Sequence, residues 1–281
     1  MIIFKHAKAL SEYLEKGWLG TGVIGFVPTM GALHAGHLSL LKECTRFSQI
    51  SVCSIFVNPT QFNNPDDFEK YPHTIEKDIS LLEANGCDVL FLPDEKEIYP
   101  DESWKNKHYD LGYLETILEG KFRPGHFQGV CLVVERLLNI VNPDLLFLGR
   151  KDFQQCMVIK RLIELLDKKT KVIICPILRE PNGLAMSSRN MRLNSSEKIQ
   201  ASDLNLQLVF IKTHLEEKDF SVLKNEAIQH LQNIGFKVEY LELAKRNDLT
   251  LTTMYNEREQ FIILVAAFLG EVRLIDNIVI N

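Results

Sequence analysis

"VIGFVPTMGALHAGHLSLLKECTRFSQISVCSIFVN", residues 23–58, sets two short β-rich apolar runs either side of a helical pattern. The outer runs, "VIGFVPT" and "ISVCSIFVN", are nearly continuous in valine, isoleucine and phenylalanine, whereas "GHLSLLKECTRF" spaces its apolar residues by three and four. That order is β-helix-β, and it implies a parallel sheet, because each crossover must cover the sheet it serves. The alternation continues downstream. "CDVLFLP", "DLLFLG" and "KVIICPIL" are again β-rich, and "TIEKDISLLEAN", "FQGVCLVVERLLNIV" and "FQQCMVIKRLIELL" carry helical spacing. With helices on both faces of such a sheet, ligands are expected at the carboxyl ends of the strands.

After Pro176 the pattern changes. A polar segment, "REPNGLAMSSRNMRL", leads into "NSSEKIQASDLNLQLVFIKTHLEE", where Asn194 or Ser195 is placed to cap a long helix. "KVEYLELA", "QFIILVAAFLG" and "VRLIDNIVI" then follow with short connections, which favours a small, largely antiparallel sheet. The expected organisation is an α/β domain over residues 1–176 and a smaller α+β domain over residues 177–281.

The 281 residues suit about two domains, and 46% hydrophobic with 25% charged residues is the balance of an ordinary globular chain. A formal net charge of −5 offers no global basic field for nucleic acid or anionic membrane. The longest apolar run, "FIILVAAFLG" at 261–270, is well short of the ~18–20 residues that cross a bilayer. The start, "MIIFKHAKALSEYLEKG", reaches charge at Lys5 and then follows helical periodicity, unlike a secretory signal. Six cysteines form no C-x-x-C pair and sit mostly in apolar runs, so reduced, buried thiols in a cytoplasm are expected.

His34 and His37 follow the strand "VIGFVPT" and coincide with a helix start, where backbone N–H groups and the helix dipole favour bound anions. Phosphate is the natural guest. Their spacing of three puts both rings on one side of a turn, and Gly31 and Gly36 permit close approach by a ligand. Taken alone, the pair suits a polar βα loop equally well. A second segment, "LREPNGLAMSSRN" at 178–190, gathers Ser187, Ser188 and Arg189, a mixture that can hydrogen-bond and neutralise phosphates. As an isolated string it reads as a linker. Together, a histidine pair after the first βα strand and a late Met-Ser-Ser loop form the arrangement of the nucleotidyl-transfer superfamily that includes the class I aminoacyl-tRNA synthetases.

Within that superfamily the chain resembles the pantothenate synthetases, or pantoate–β-alanine ligases, through nearly its whole length. The resemblance is carried by seven segments in order: "PTMGALHAGH" at 28–37, "SIFVNPTQF" at 54–62, "YPHT" at 71–74, "FRPGHFQGV" at 122–130, "LGRKDFQQ" at 148–155, "GLAMSSRN" at 183–190 and "RLIDN" at 273–277. It implies a Rossmann-like parallel-sheet domain, and ATP-dependent condensation of (R)-pantoate with β-alanine through pantoyl adenylate, releasing pyrophosphate and AMP. Mg2+ accompanies ATP. It further implies a cytoplasmic homodimer whose partners are small molecules, with no nucleic acid and no membrane, and whose second domain closes over the nucleotide.

Residue by residue, the resemblance lays Met30, Gly31, Ala32, Leu33, His34, Ala35, Gly36 and His37 along ATP, with His37 as proton donor and His34 as the other phosphate-facing ring. Gly149, Arg150, Lys151 and Asp152 match the ATP-contacting turn, and Leu178, Met186, Ser187, Ser188 and Arg189 match its late loop. Lys151, Ser187, Ser188 and Arg189 join the histidines in the catalytic set. Gln61 and Gln155 match the pantoate-binding glutamines, and Asn58, Glu119 and Arg123 match further substrate or nucleotide contacts, Asn58 and Arg123 being taken as substrate-binding. Asp78 is the candidate Mg2+ ligand. Four positions depart from the family pattern: Arg150 for an acidic residue, Gln128 and His73 for arginines, and Asn182 for an aspartate. Two rival readings stay open, an adenylyltransferase acting on a phosphate ester and a nucleotide-binding regulatory module. Gln61 and Gln155 weigh against the first, since a phosphate acceptor more naturally meets Arg or Lys.

Overall fold

Six strands, β1 (Ile2–Phe4), β2 (Ile24–Thr29), β3 (Ile50–Ile55), β4 (Val89–Phe91), β5 (Leu145–Gly149) and β6 (Lys171–Cys175), form one sheet in the order β1-β4-β3-β2-β5-β6. Every pairing in it is parallel. The computed structural model describes residues 1–18, 20–62 and 68–280. β3 is buried at all six positions, as a central strand covered on both faces requires, and this explains its unbroken apolar run. The order reverses around β2: β3, β4 and β1 lie on one side of it, β5 and β6 on the other. The carboxyl ends of β2 and β5 therefore flank the switch point, where an open α/β sheet leaves its crevice.

The helical periodicity read after Lys5 is the helix Ala7–Gly17, and Ile2–Phe4 ahead of it is a strand that pairs with β4 at the sheet edge. Three residues are too few to show a period. Among the described residues, no helix is long and apolar enough to cross a membrane.

The chain divides into two compact units, Met1–Gly149 with Gln154–Pro176, and Arg150–Phe153 with Ile177–Asn281. The second holds an antiparallel sheet of β7 (Phe236–Lys245), β8 (Leu251–Thr252), β9 (Phe261–Leu269) and β10 (Val272–Val279) in the order β10-β9-β7-β8. Leu204, Leu208 and Ile211 from one helix and Leu223, Ala227 and Leu231 from another share a core with Ile263, Val265 and Ala267 of β9. The expected long helix is two, Ser195–Ala201 and Asp203–His214. Asn194 caps the first through a reciprocal pair with Glu197. Ser202 interrupts them, its hydroxyl donating to the Ile199 carbonyl at 2.6 Å, the local competition with the helix ladder that serine offers.

The assignment of Arg150–Phe153 to the second unit differs from a division drawn at Pro176 alone. Its cause is Asn277 on β10, whose amide donates to the carbonyls of Arg150 at 2.8 Å and Lys151 at 3.0 Å.

Candidate active site

β2 ends at Thr29 and the helix Ala35–Phe47 begins six residues later, so residues 30–34 must turn the chain sharply. Gly31 and Ala32 do so at φ of +78° and +49°. The second of these is a costly conformation for a residue with a Cβ, and it persists only where its surroundings enforce it. Asp78 supplies the enforcement. It is 1% exposed, and its carboxylate accepts from the backbone N–H of Ala32 and of Leu33, both at 2.8 Å, and from the Thr74 hydroxyl at 3.1 Å.

This corrects the expectation that Asp78 binds Mg2+. Both of its oxygens are engaged by the chain and removed from solvent, so it shapes the turn. Only Leu82, four residues on and buried, shares that inward face; Ile75, three residues before, is exposed, so the helix pattern gives little sign of it.

The two histidines are tied into the helix start. His34 is the N-cap, its Nδ1 accepting from the Gly36 N–H at 3.1 Å, while the Nδ1 of His37 faces the His34 N–H at 3.4 Å. A ring nitrogen that accepts carries no proton, so each neutral imidazole bears its hydrogen on Nε2. The rings lie 4.1 Å apart, centroid to centroid, inclined at 34°. Capping thus fixes both rings as Nε2–H donors on one side of the first turn.

Gln61 closes the short turn Pro59–Gln61 and donates to the sulfur of Met30, the first residue of the turn after β2. Arg123 reaches the same place, its guanidinium donating to the Gln61 carbonyl at 3.4 Å and lying 3.6 Å from Glu119. Met30 and Arg123 thus both contact Gln61, the first at its side chain and the second at its main-chain carbonyl. Asn58 has a different job from the expected substrate contact. It is 1% exposed; its carbonyl oxygen accepts from Tyr99 and Thr60, and its amide donates to Gly129 and Gln61. It is the cap that holds Gln61 in place.

The adjacent glutamines of "FQQ" separate in the same way. Gln154 is buried, accepting from the Glu119 N–H and donating to the carbonyls of Leu114 and Ile117, whereas Gln155 is half-buried. Gly149 ends β5 at the switch point.

In the second unit, Lys151 lies 3.6 Å from Asp152, and the Arg150 Nε is buried with no hydrogen-bond partner among the described residues. Burial, then the nearby cations Arg246 and Arg179, lower the Arg150 pKa from its ordinary value. The 178–190 segment is a folded hairpin. Arg179 bridges to Ala185, Met186 N–H returns to the carbonyl of the exposed Leu178 at 3.1 Å, and Ser187 caps the turn Ser188–Arg192 through the Arg189 N–H. Its root is the bidentate pair of Arg179 with Asp276, at 2.6 and 3.0 Å.

The remaining departures from the family pattern have local roles. Gln128 bonds both backbone groups of Tyr109 and the Glu115 carboxylate, Asn182 closes the hairpin turn onto Leu184 and Lys198, and His73 lines a cavity beside Met30 and Ala32.

The family model described as "Pantoate-beta-alanine ligase" matches residues 2–279. Pantothenate synthetase of Cytophaga hutchinsonii is 44% identical over 92% of this chain and 91% of its own. Pantothenate synthetase of Thermus thermophilus superposes with a TM-score of 0.90 at 34% identity, covering 99% of each chain. Pantoate-beta-alanine ligase of Francisella tularensis, solved in complex with beta-gamma ATP and beta-alanine, superposes with a TM-score of 0.81 at 39% identity, covering 99% of this chain and 97% of that one. The chain, from its parallel sheet and paired histidines to its late Met-Ser-Ser hairpin, belongs to the pantoate-beta-alanine ligase family.

Proposed function

We propose that the chain joins (R)-pantoate to β-alanine at the cost of ATP, through pantoyl adenylate. In the first half-reaction the pantoate carboxylate attacks the α-phosphorus, a P–O bond forms, and pyrophosphate leaves with the electrons of the bond that breaks. Charge grows on the phosphate oxygens at that moment. His34 and His37 donate to them from Nε2, and donors already fixed in place stabilise the transition state without reorganising. Lys151, Ser187, Ser188 and Arg189 engage the departing phosphates, with the remaining matched residues of 30–37, Gly149 to Asp152, Leu178 and Met186 around the nucleotide.

Gln61 and Gln155 hold pantoate. A neutral amide pairs with hydroxyls and a carboxylate without neutralising the nucleophile. Arg123 stands beside Gln61 at that pocket. In the second half-reaction the neutral amine of β-alanine attacks the acyl carbon, and AMP leaves. Closure of the 178–190 hairpin over the nucleotide would keep water from the mixed anhydride.

Mg2+ enters as the companion of ATP, held mainly by phosphate and water oxygens as that ion prefers. Among the described residues no three His, Cys, Asp or Glu side chains gather to hold a metal, and Asp78 is engaged elsewhere. All six cysteines are free and buried, which supports a reducing, cytoplasmic setting. Homodimeric assembly and small-molecule partners alone, without nucleic acid, follow the family resemblance.

The observation that carries this reading is the capping geometry that presents two Nε2–H donors at the end of β2. The test is exchange of labelled pyrophosphate into ATP. Exchange is expected with pantoate present and β-alanine absent, and added β-alanine should divert the adenylate into amide. Pantothenate formation without pantoate-dependent exchange would exclude the adenylate route.

A further inference from the structure

His126 opens the helix His126–Val141 and is 5% exposed, yet nothing in the reaction calls on it directly. Its Nδ1 lies 2.8 Å from the main-chain carbonyl of Gln61, and its Nε2 lies 3.0 Å from an Nη of Arg123. A carbonyl only accepts and a guanidinium only donates, so the ring must be neutral with its proton on Nδ1. It donates to Gln61 and accepts from Arg123 at once.

A second clasp lies one turn along. A Cβ at Gly129 would collide with the Thr60 carbonyl, so only glycine lets the Pro59–Gln61 turn press onto the helix there. The Gly129 carbonyl accepts from Asn58 at 3.2 Å and from the Thr60 hydroxyl at 3.4 Å. These contacts fix the beginning of the turn. Its end, the residue whose side chain faces Met30, is fixed by His126.

We infer that His126 is a positioning residue for pantoate: it sets the backbone of Gln61, and through it the angle of the Gln61 amide. This role rests on Gln61 being a pantoate contact, and the test separates the two. Steady-state kinetics are compared for the wild type, Gln61→Ala, His126→Leu, His126→Asn, His126→Gln and the double variant Gln61→Ala/His126→Leu, each checked for folding by thermal unfolding. His126→Leu should raise KM for pantoate about tenfold or more while changing KM for ATP by no more than about twofold, the scale on which losing such a supporting contact is felt. Asparagine can place an amide N–H where Nδ1 stood and should recover most of the loss. Glutamine reaches only as far as Nε2 and should not.

Once the Gln61 amide is gone there is nothing left to aim, so the double variant should match Gln61→Ala. If Gln61→Ala leaves KM for pantoate unchanged, the reading of Gln61 fails and takes this role with it. If Gln61→Ala raises it but the His126 variants leave it at the wild-type value, raise KM for ATP equally, or multiply with Gln61→Ala, the positioning role alone is overturned. Should His126→Leu not fold, equal KM values in the asparagine and glutamine variants would overturn it.

Discussion

The turn after β2 and the 178–190 hairpin are both proposed to meet ATP phosphates, and each is held by a buried aspartate, but in opposite ways. Asp78 accepts from two backbone N–H groups inside the turn itself, so the residues proposed to meet the ligand are the ones being held. Asp276, 4% exposed on β10, grips the hairpin at its root through Arg179, leaving Ser187 to Arg189 several residues from the clamp. Burial raises the Asp276 carboxyl pKa and Arg179 pulls it partly back. One segment is preorganised at its tip, the other at its base. The difference would suit the roles proposed for them, a fixed donor array and a loop that admits and releases nucleotide.

The sharpest way to break the contrast is Arg179→Ala, which leaves Asp276 buried and unpaired. The expected loss is about 3–5 kcal/mol, read as a lowered denaturation midpoint of the second unit. Without Arg179 the folded Asp276 pKa lies further above its unfolded value, so the native state favours the neutral acid. The loss is therefore full above that raised pKa and fades as pH falls through it. A loss independent of pH would mean that Asp276 is not the group left unpaired.

Asp78→Ala should cost roughly 2–4 kcal/mol, since two buried N–H groups lose their acceptor in a turn that already sits at positive φ. Turnover should fall with stability here, because the same turn carries the histidines. A stable but inactive Asp78→Ala enzyme would instead return Asp78 to a direct role in catalysis.

His34→Ala and His37→Ala should each lower kcat by ~10²–10³. They should differ in stability. His34 is the N-cap and its loss should cost about 1 kcal/mol, whereas His37 makes the longer contact and should cost less. Near-normal turnover in both folded variants would remove the histidines from the transition state. The smallest expected effect is on the hairpin: trypsin should cut near Arg189 and Arg192 more slowly with ATP and Mg2+ than without. Equal rates would argue against closure by that loop.

What was legible in the sequence were features with a period or a local rule. The β-helix-β alternation, the change after Pro176 and the histidine pair at a helix start are all written within a dozen residues of themselves. What was not legible depends on contacts far along the chain. Asp78 looks like a free carboxylate until the turn 45 residues before it arrives at the end of its helix. Asn58 and Gln154 carry the same chemistry as Gln61 and Gln155, and only burial separates the structural amides from the others. β1 is a strand because β4 lies beside it, not because three residues prefer to extend.

The joining of Arg150–Phe153 to the second unit also limits what can be cut or exchanged. The chain passes between the units three times, after Gly149, Phe153 and Pro176. A fragment of residues 177–281 made alone would carry Asn277, 1% exposed in the folded chain, without the two carbonyls its amide serves. The same holds for grafting that segment onto a relative: it travels faithfully only with four residues borrowed from the far side of β5. The second unit is thus not a cassette. Its inheritance is tied to a stretch embedded in the other unit's sequence, and the two are constrained to change together at that point.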